Sequence, residues 1–216
     1  MSIALRHTMA NISELYKPIY GIRSDGIAYA ALPNPVNASS GAYEVEFTFL
    51  SSGIPWSMHV FGAHGASMRN HFLWHSESTQ QNGIYCFAQY SDSGNGAVYT
   101  ADTKHLLVAS LRSELKGVYL DGESIGKTMD SPTTNRNPFL IFRANNNSTT
   151  IDPATPKSPD YIVIHKLKVW YGENLVADLV PCIETRTKEV CFYNLVDEQF
   201  VKNIAGQGSK FVEVKE

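Results

Sequence analysis

Hydrophobic and polar positions alternate most clearly in the last quarter of the chain. Within Tyr161–Tyr171 the hydrophobic side chains recur at every second position, with one slip at His165-Lys166. Period two is the pattern of a strand with one buried face, and a slip of one residue indicates a β-bulge. We therefore predict a bulged strand, a hairpin turn at Gly172-Glu173-Asn174, and a return strand Leu175–Val180 that Pro181 ends.

The residues that follow predict a second hairpin and a closing strand. The hydrophobic segments Glu189–Leu195 and Gln199–Asn203 are separated by the turn Val196-Asp197-Glu198. Gly206-Gln207-Gly208 then precedes a short alternating segment, Ser209–Val214. Short strands separated by turn residues are the pattern of an antiparallel sheet.

The first two thirds of the chain contain similar but weaker signals. Tyr43–Leu50 places four hydrophobic side chains, three of them aromatic, on one face, and such a row needs a second sheet to cover it. Asp121-Gly122 is a strong hairpin signal, whereas 63–70 and 145–160 are predicted to be loops. Further strands are predicted at Ile27–Leu32, Trp56–Gly62, His71–His75, Ile84–Gln89, Val98–Thr100, Leu106–Leu111, Lys116–Leu120, Ser124–Lys127 and Pro138–Ala144.

About fourteen short strands and no long helix predict an all-β protein, a single two-sheet antiparallel jelly-roll sandwich. The length of 216 residues suits one such domain, and 43% hydrophobic residues, including 11 Tyr and 10 Phe, supply its core. We assign residues 1–20 to an N-terminal arm or attachment segment and 21–216 to the sandwich.

Charge and hydropathy exclude several classes of partner. The net charge is −3 with no run of Lys or Arg, so a nucleic-acid groove is not expected. No hydrophobic run approaches the roughly 20 residues of a membrane-spanning helix, and the N-terminus lacks the pattern of a signal peptide. If the chain is complete, we expect it to fold in a cytoplasm.

Three stretches resemble a known family of domains. They read KLKVWYGENLVADLVP from Lys166, FYNLVDEQFVKN from Phe192 and GQGSKF from Gly206, with Tyr119–Gly122 as a smaller match. This order resembles the closing strands of laminin-G-like, concanavalin A-like jelly-roll domains, which are frequent in bacteriophage virion and tail proteins and in bacterial surface proteins. Cys191–Asn194 replaces the glycine-leucine-tyrosine-aspartate of the family. The resemblance implies the fold more than a function.

Catalysis is not expected. Glucanases of this broad fold use a Glu-x-Asp-x-Glu strand, in which two carboxylates divide the roles of nucleophile and general acid. Glu44 and Glu46 share a strand face in this chain, but Thr48 stands at the third acidic position. The acid/base residue is therefore missing, and two solvated glutamates on an outer sheet face are the simpler interpretation.

Metal and thiol chemistry have weak signals, and we expect no cofactor. The histidines have no recognised zinc spacing, although oxygen-rich loops around Asp92, Asn95 and Asp152 leave Ca²⁺ as a candidate. Cys182 and Cys191 could face each other across a hairpin, either as a disulfide or as buried free thiols; in a reducing cytoplasm free thiols are favoured.

A sugar site needs an aromatic plate and planar hydrogen-bonding groups. The candidate ligand-binding residues that meet this description at strand ends and loops are Trp56, Trp74, His75, Arg143, Asn145 and Asn146. For the aromatic side chains core packing is the alternative, and we expect Trp170 in the core.

These observations favour a non-enzymatic, lectin-like binding module. The family resemblance suggests a phage virion or tail-associated protein that contacts cell-surface carbohydrate and folds in the host cytoplasm. Two alternatives stay open: a structural virion decoration or assembly protein with protein contacts only, and a glycan hydrolase. The protein could also form a homo-oligomer.

Overall fold

The computed structural model describes residues 14–32, 41–50, 60–65, 68–72, 100–110, 112–126, 139–143, 145–146, 160–206 and 208–216. Within these ranges the chain forms sixteen strands and a 3-10 helix, Ser113–Leu115, and it is also helical at Glu14–Leu15. The strands are β1 Tyr16–Pro18, β2 Gly21–Ser24, β3 Ala30–Ala31, β4 Gly41–Phe49, β5 Phe61–Gly65, β6 Met68–Phe72, β7 Lys104–Ser110, β8 Gly117–Leu120, β9 Glu123–Gly126, β10 Leu140–Ile141, β11 Asn145–Asn146, β12 Ile162–Tyr171, β13 Asn174–Glu184, β14 Val190–Asn194, β15 Gln199–Val201 and β16 Phe211–Val214. No helix in the described ranges is both long enough and apolar enough to cross a membrane.

The strands form a large sheet and a small sheet. The large sheet has eleven strands in the order β15-β14-β13-β12-β4-β7-β8-β9, to which β1, β2 and β16 are attached. The small sheet has five strands, in which β5 pairs with β6, β10 and β11, and β10 pairs with β3. The predicted all-β, two-sheet sandwich is confirmed. Among the strand pairs of the described ranges, one short pair, β11 with β5, is parallel and the others are antiparallel.

The central strands show why the alternating sequence folds in this way. β12 pairs with β4 from Ile162 to Tyr171, and the register shifts between Ile164 and Lys166, at the predicted bulge. The aromatic row of β4 is buried, together with Ile162, Ile164, Leu167 and Val169 of β12. Period two therefore sends the hydrophobic side chains of both strands to the same layer, where burial contributes about 25 cal/mol per Å² of apolar surface.

The return strand extends beyond Pro181, which is a correction to the sequence prediction. β13 continues to Glu184, with Pro181 opposite Phe192 of β14. The amide of Glu184 donates to the carbonyl of Glu189. Because hydrogen bonds to an antiparallel neighbour occur at every second residue, Cys182 and Val180 of β13 are the next residues that bond to β14. Pro181 lies between these two bonding positions. Its carbonyl faces the other way and accepts from Ile19. The missing N–H of Pro181 thus removes no bond to β14.

Three predicted segments in the first half differ from the structure. The predicted loop 63–70 contributes to a hairpin of β5 and β6, and the predicted strand Trp56–Gly62 has strand structure only from Phe61 in the described residues. In Ile27–Leu32 only Ala30–Ala31 is a strand. The reason is a turn in which the carboxylate of Asp25 accepts from the amides of Ile27 and Ala28, at 3.0 and 2.8 Å.

The predicted strand Pro138–Ala144 is shortened by a chain reversal. Of its described residues, 139–143, only Leu140–Ile141 form a strand, because Phe142 has a φ of +64° and turns the chain. A phenylalanine rarely adopts this left-handed conformation, and packing holds it here. The Phe142 ring is fully buried between Phe192 and Phe211, with centroid distances of 6.3 and 5.6 Å.

Two hydrophobic clusters result. The main one fills the space between the sheets, and a smaller one on the opposite, outer face of the large sheet contains Tyr16, Cys182, Cys191 and Tyr193, with Phe200 packed against it. Trp170 was predicted in the core but is only partly buried. It follows Val169 and so points to the outer face, where the Arg112 guanidinium lies 5.8 Å from its ring.

The proposed division between an arm and the sandwich stays a prediction. Residues Glu14–Leu15 are helical, and Tyr16–Pro18 pairs with Cys182–Glu184 of β13 as an edge strand.

Candidate functional site

The structure describes three of the six predicted sugar-contacting residues, at least in part. Trp56, Trp74 and His75 lie outside the described residues. Arg143 follows the reversal at Phe142, and its guanidinium lies 4.7 Å from the ring centroid of the buried Tyr29.

Asn145 and Asn146 form β11 at the edge of the small sheet. Asn145 is paired with Ala63 and Asn146 with His64 of β5. Because β6 pairs along the whole of β5, β10 and β11 must share its other edge. The reversal at Phe142 thus brings Arg143 and the two asparagines to one end of the small sheet.

The metal candidates receive no geometric support from the described part of the chain. Within it, no group of three or more His, Cys, Asp or Glu could hold an ion. Asp92, Asn95 and Asp152, the proposed Ca²⁺ ligands, lie outside the described residues.

Cys182 and Cys191 are directly paired across β13 and β14, as the hairpin suggested. Both are buried free thiols, and their sulfur atoms are 3.7 Å apart. Of the two alternatives that the sequence left open, a disulfide or buried free thiols, the structure has the buried free thiols.

Glu44 and Glu46 lie on the outer face of the large sheet, each beside a lysine. Glu44 is 3.9 Å from Lys168 and Glu46 is 3.8 Å from Lys104. Exposed pairs of this kind contribute about 0–1 kcal/mol. Thr48, at the position where a glucanase has its third acid, instead meets His165 Nε2 at 2.9 Å.

A cleft of about 460 Å³ opens on the same outer face, near the edge of the sheet. We call it the outer-face cleft; its lining residues are Glu14, Leu15, Glu184, Thr185, Arg186 and Phe200. It forms because β1 lies beside the end of β13, where the Thr185 amide donates to the Leu15 carbonyl at 2.9 Å. The cleft therefore joins residues from the start of the described chain with residues about 170 positions later.

An aromatic row forms the hydrophobic side of the cleft. The Tyr16 and Tyr193 rings have centroids 4.5 Å apart, and Tyr193 meets Phe200 edge-on at 5.1 Å. Phe200 lines the cleft and is half-buried, whereas Tyr16 and Tyr193 are buried behind it. Edge-to-face contacts fix the orientation of a ring, so Phe200 is held in place before any ligand arrives.

Glu184 is the polar centre of the cleft. Its side chain is only 6% exposed, and one carboxylate oxygen, Oε2, accepts from Thr187 Oγ1 and from Lys202 Nζ at 2.5 Å. These two hydrogen bonds, Lys202 first, outweigh burial and hold the pKa of Glu184 below its usual value. The group is therefore an ionised acceptor at neutral pH.

The second oxygen, Oε1, has fewer contacts with the residues that the structure describes. Arg186 Nη2 lies 3.8 Å from it, which is longer than a hydrogen bond, and the Arg186 side chain is 87% exposed. Lys202 also reaches Glu189 at 3.2 Å, and its hydrogen bond to Glu184 raises the pKa of the ammonium group. The cleft thus presents an acceptor, an exposed guanidinium and an aromatic ring.

Sequence reasoning missed this cleft for a specific reason. Phe200 fits the alternation of an ordinary strand, and Glu184 stands beyond a proline that was expected to end its strand. The available signal was the polar turn Glu184–Lys188, next to a strand pattern and followed by Lys202.

Comparison with known proteins supports the fold. No family model and no curated protein matches the chain. A crystal structure from Bacteroides ovatus ATCC 8483, described as a "putative carbohydrate binding protein", is similar with a TM-score of 0.60 and 14% identity. The likeness covers 93% of this chain but 61% of that one, so this chain spans about three fifths of its length. At this identity the likeness shows a shared fold alone.

Proposed function

We propose that this protein is a non-enzymatic carbohydrate-binding module. The observation that carries the proposal is the outer-face cleft, in which Phe200, Glu184 and Arg186 combine a stacking surface with hydrogen-bonding groups. Sugar recognition needs this combination, because a sugar ring has an apolar face of C–H groups and a rim of hydroxyls. The shared fold with a protein described as carbohydrate binding supports the same function.

The biological setting that we propose is a phage virion or tail that contacts carbohydrate on a cell surface. Its support is the resemblance of the closing strands, from Lys166 to Phe211, to jelly-roll domains of such particles. In this setting the chain folds in the host cytoplasm and meets other virion proteins. A purely structural role in the particle is the alternative.

A second set of sugar contacts belongs to the proposal. The reversal at Phe142 brings Arg143, Asn145 and Asn146 to one end of the small sheet. Trp74 and His75 follow β6 by two and three residues, and Trp56 precedes β5 by five. We propose that these six residues form a second sugar-contacting site, the rim site, on the small sheet and separate from the outer-face cleft.

The experiment is a glycan array probed with the full chain, followed by titration of the strongest hits. We expect binding to at least one class of cell-surface glycan. Trp56→Ala and Trp74→Ala test the rim site, and Lys168→Ala on the outer sheet face is a control that should bind like the wild type. An array without a hit would reject the carbohydrate-binding function.

The non-enzymatic part of the proposal needs its own measurement. The bound glycan is incubated with the protein for a day, and its reducing ends and mass are followed. We expect both to stay unchanged. Release of reducing sugar that disappears in Glu44→Gln or Glu46→Gln would instead identify a hydrolase.

A further inference from the structure

We propose that the outer-face cleft binds an uncharged sugar unit and discriminates against acidic sugars. This inference rests on the proposed carbohydrate-binding function and specifies the ligand class of one site. Four features of the cleft support it: the ring of Phe200, the two oxygens of Glu184, the guanidinium of Arg186 and the balance of charge.

Phe200 supplies a fixed apolar surface. Its ring is held edge-on by Tyr193 at 5.1 Å, and Lys202 Nζ lies 5.7 Å from its centroid. A pyranose ring stacks its C–H face on such a plate. Because Tyr193 is buried and Lys202 is tied to Glu184 and Glu189, Phe200 needs little reorganisation on binding.

Glu184 and Arg186 supply the complementary hydrogen-bonding groups. Oε2 of Glu184 is already used by Thr187 and Lys202, whereas Oε1 has Arg186 at 3.8 Å as its contact. That gap leaves acceptor capacity on Oε1 and donor capacity on the guanidinium. A sugar hydroxyl both donates and accepts, so two neighbouring hydroxyls can bond to both groups at once.

The charge balance sets the discrimination. The cleft itself is lined by two carboxylates, Glu14 and Glu184, and one cation, Arg186. The ion pairs that continue from Glu184 add Lys202 and, through it, the carboxylate of Glu189, which makes three carboxylates against two cations. Lys202 is engaged by two of those carboxylates. A uronic or sialic acid would bring another carboxylate next to an existing negative excess, and like charges at close range oppose binding.

The size of the cleft is compatible with this ligand. Small-molecule sites enclose about 300–1,000 Å³. At about 460 Å³ the outer-face cleft lies in the lower half of that range. It therefore suits one or two sugar rings, with any further rings of a glycan outside it.

The test is a titration of the full chain, followed by amide chemical shifts. The neutral probes are the methyl glycosides of glucose, galactose and mannose, and the acidic probes are glucuronic acid and N-acetylneuraminic acid. We expect saturable binding of at least one neutral probe and at least tenfold weaker binding of both acids. The shifts should centre on Thr185, Arg186 and Phe200.

Two variants locate the site. Phe200→Leu removes the aromatic plate but keeps an apolar group against Tyr193, and we expect about tenfold weaker binding. Arg186→Ala removes an exposed donor without disturbing the core, and we expect several-fold weaker binding. Lys168→Ala is the matched control for loss of one surface cation, and it should bind like the wild type. Thermal unfolding confirms that each variant is folded.

The outcomes separate this inference from the function on which it rests. If neutral sugars bind equally well to the wild type, Phe200→Leu and Arg186→Ala, the cleft is not the site, although the carbohydrate function stands. If the acids bind as tightly as the neutral probes, the charge argument is wrong. If no sugar binds in solution and the array is also empty, both the function and the inference are wrong.

Discussion

Two buried polar groups on the outer face of the large sheet make an instructive pair. His165 donates from Nδ1 to the Tyr20 carbonyl and accepts at Nε2 from Thr48, both at 2.9 Å, and the Tyr20 ring covers it at 4.5 Å. Glu184 is as deeply buried, but it faces a cleft and only one of its oxygens is fully used. The first group has the contacts of a structural residue, and the second has the contacts expected of the binding residue that we propose it to be.

The contrast gives a criterion for separating polar groups that stabilise the fold from polar groups that are available to a ligand. A buried polar group is retained only if its hydrogen-bonding capacity is met. At His165, hydrogen bonds within the protein use both ring nitrogens. At Glu184, the described residues use Oε2 fully, and Oε1 can still accept a hydrogen bond from a group in the cleft.

The largest effect on stability is expected from a substitution that disturbs the packing around His165. A Cβ on residue 21 would lie 2.5 Å from Val163 Cγ1 and 2.8 Å from His165 Nδ1. We expect Gly21→Ala to lower the free energy of unfolding by about 2–3 kcal/mol, because the bulge cannot move away from the new methyl group. Urea denaturation measures the change.

Gly206→Ala is the control for this prediction, since nothing lies within 4 Å of a Cβ there. We expect a change of less than about 0.5 kcal/mol. Equal effects at residues 21 and 206 would contradict the close packing described around His165.

The second effect concerns the network around Glu184. Lys202→Met keeps the hydrocarbon stem but removes the cation, so a carboxylate that is 6% exposed loses its strongest partner. We expect a loss of about 1–2 kcal/mol in urea denaturation. Lys168→Met, which separates a more exposed pair with Glu44, should cost less than about 0.5 kcal/mol.

The pH dependence of the same network has a definite sign. The pKa of Glu184 is lowered in the folded protein by the hydrogen bonds from Lys202 and Thr187. The contribution of Glu184 to the free energy of unfolding is therefore present above the pKa of the unfolded chain, about 4.3, and is lost as pH falls through the folded pKa. The wild type should lose more stability between pH 5 and pH 3 than Lys202→Met, and parallel curves would contradict this.

His165 provides a smaller effect in a different pH window. Burial, the largest cause, lowers the pKa of its imidazole and favours the neutral ring. The unfolded chain then binds a proton more readily, so stability is full above about pH 6.5 and falls as pH drops from there towards the folded pKa. The slope is at most about 1.4 kcal/mol per pH unit.

Thermal unfolding between pH 7.5 and pH 5 measures this slope. His165→Asn should flatten the curve in that window, even though it lowers stability at every pH. An unchanged slope in the variant would assign the titration to another group.

The smallest expected effect lies on the charged part of the outer face. Glu44→Gln removes one partner of a pair separated by 3.9 Å. We expect a stability change below about 0.5 kcal/mol and unchanged sugar affinity, because the residue does not line the outer-face cleft. A loss of sugar binding in this variant would move the site to the centre of the sheet.

Several strands, the sandwich class and some local features could be predicted from the sequence alone. Alternation predicted β4, β12 and β14 and the bulge before Lys166, because burial of one face requires period two in any sheet. Asp121-Gly122 predicted the β8–β9 hairpin, and the structure gives these residues φ values of +52° and +86°. Local geometry alone decides such features.

The positions at which polar groups from distant parts of the chain meet depend on tertiary packing. The reversal at Phe142 depends on the rings of Phe192 and Phe211, which no local pattern reveals. The outer-face cleft depends on β1 pairing with the end of β13, across more than 160 residues of chain. Pairing at such distances is chosen by the packing of the whole molecule, so a sequence that specifies many of its strands clearly can still conceal a cleft formed by residues far apart in the chain.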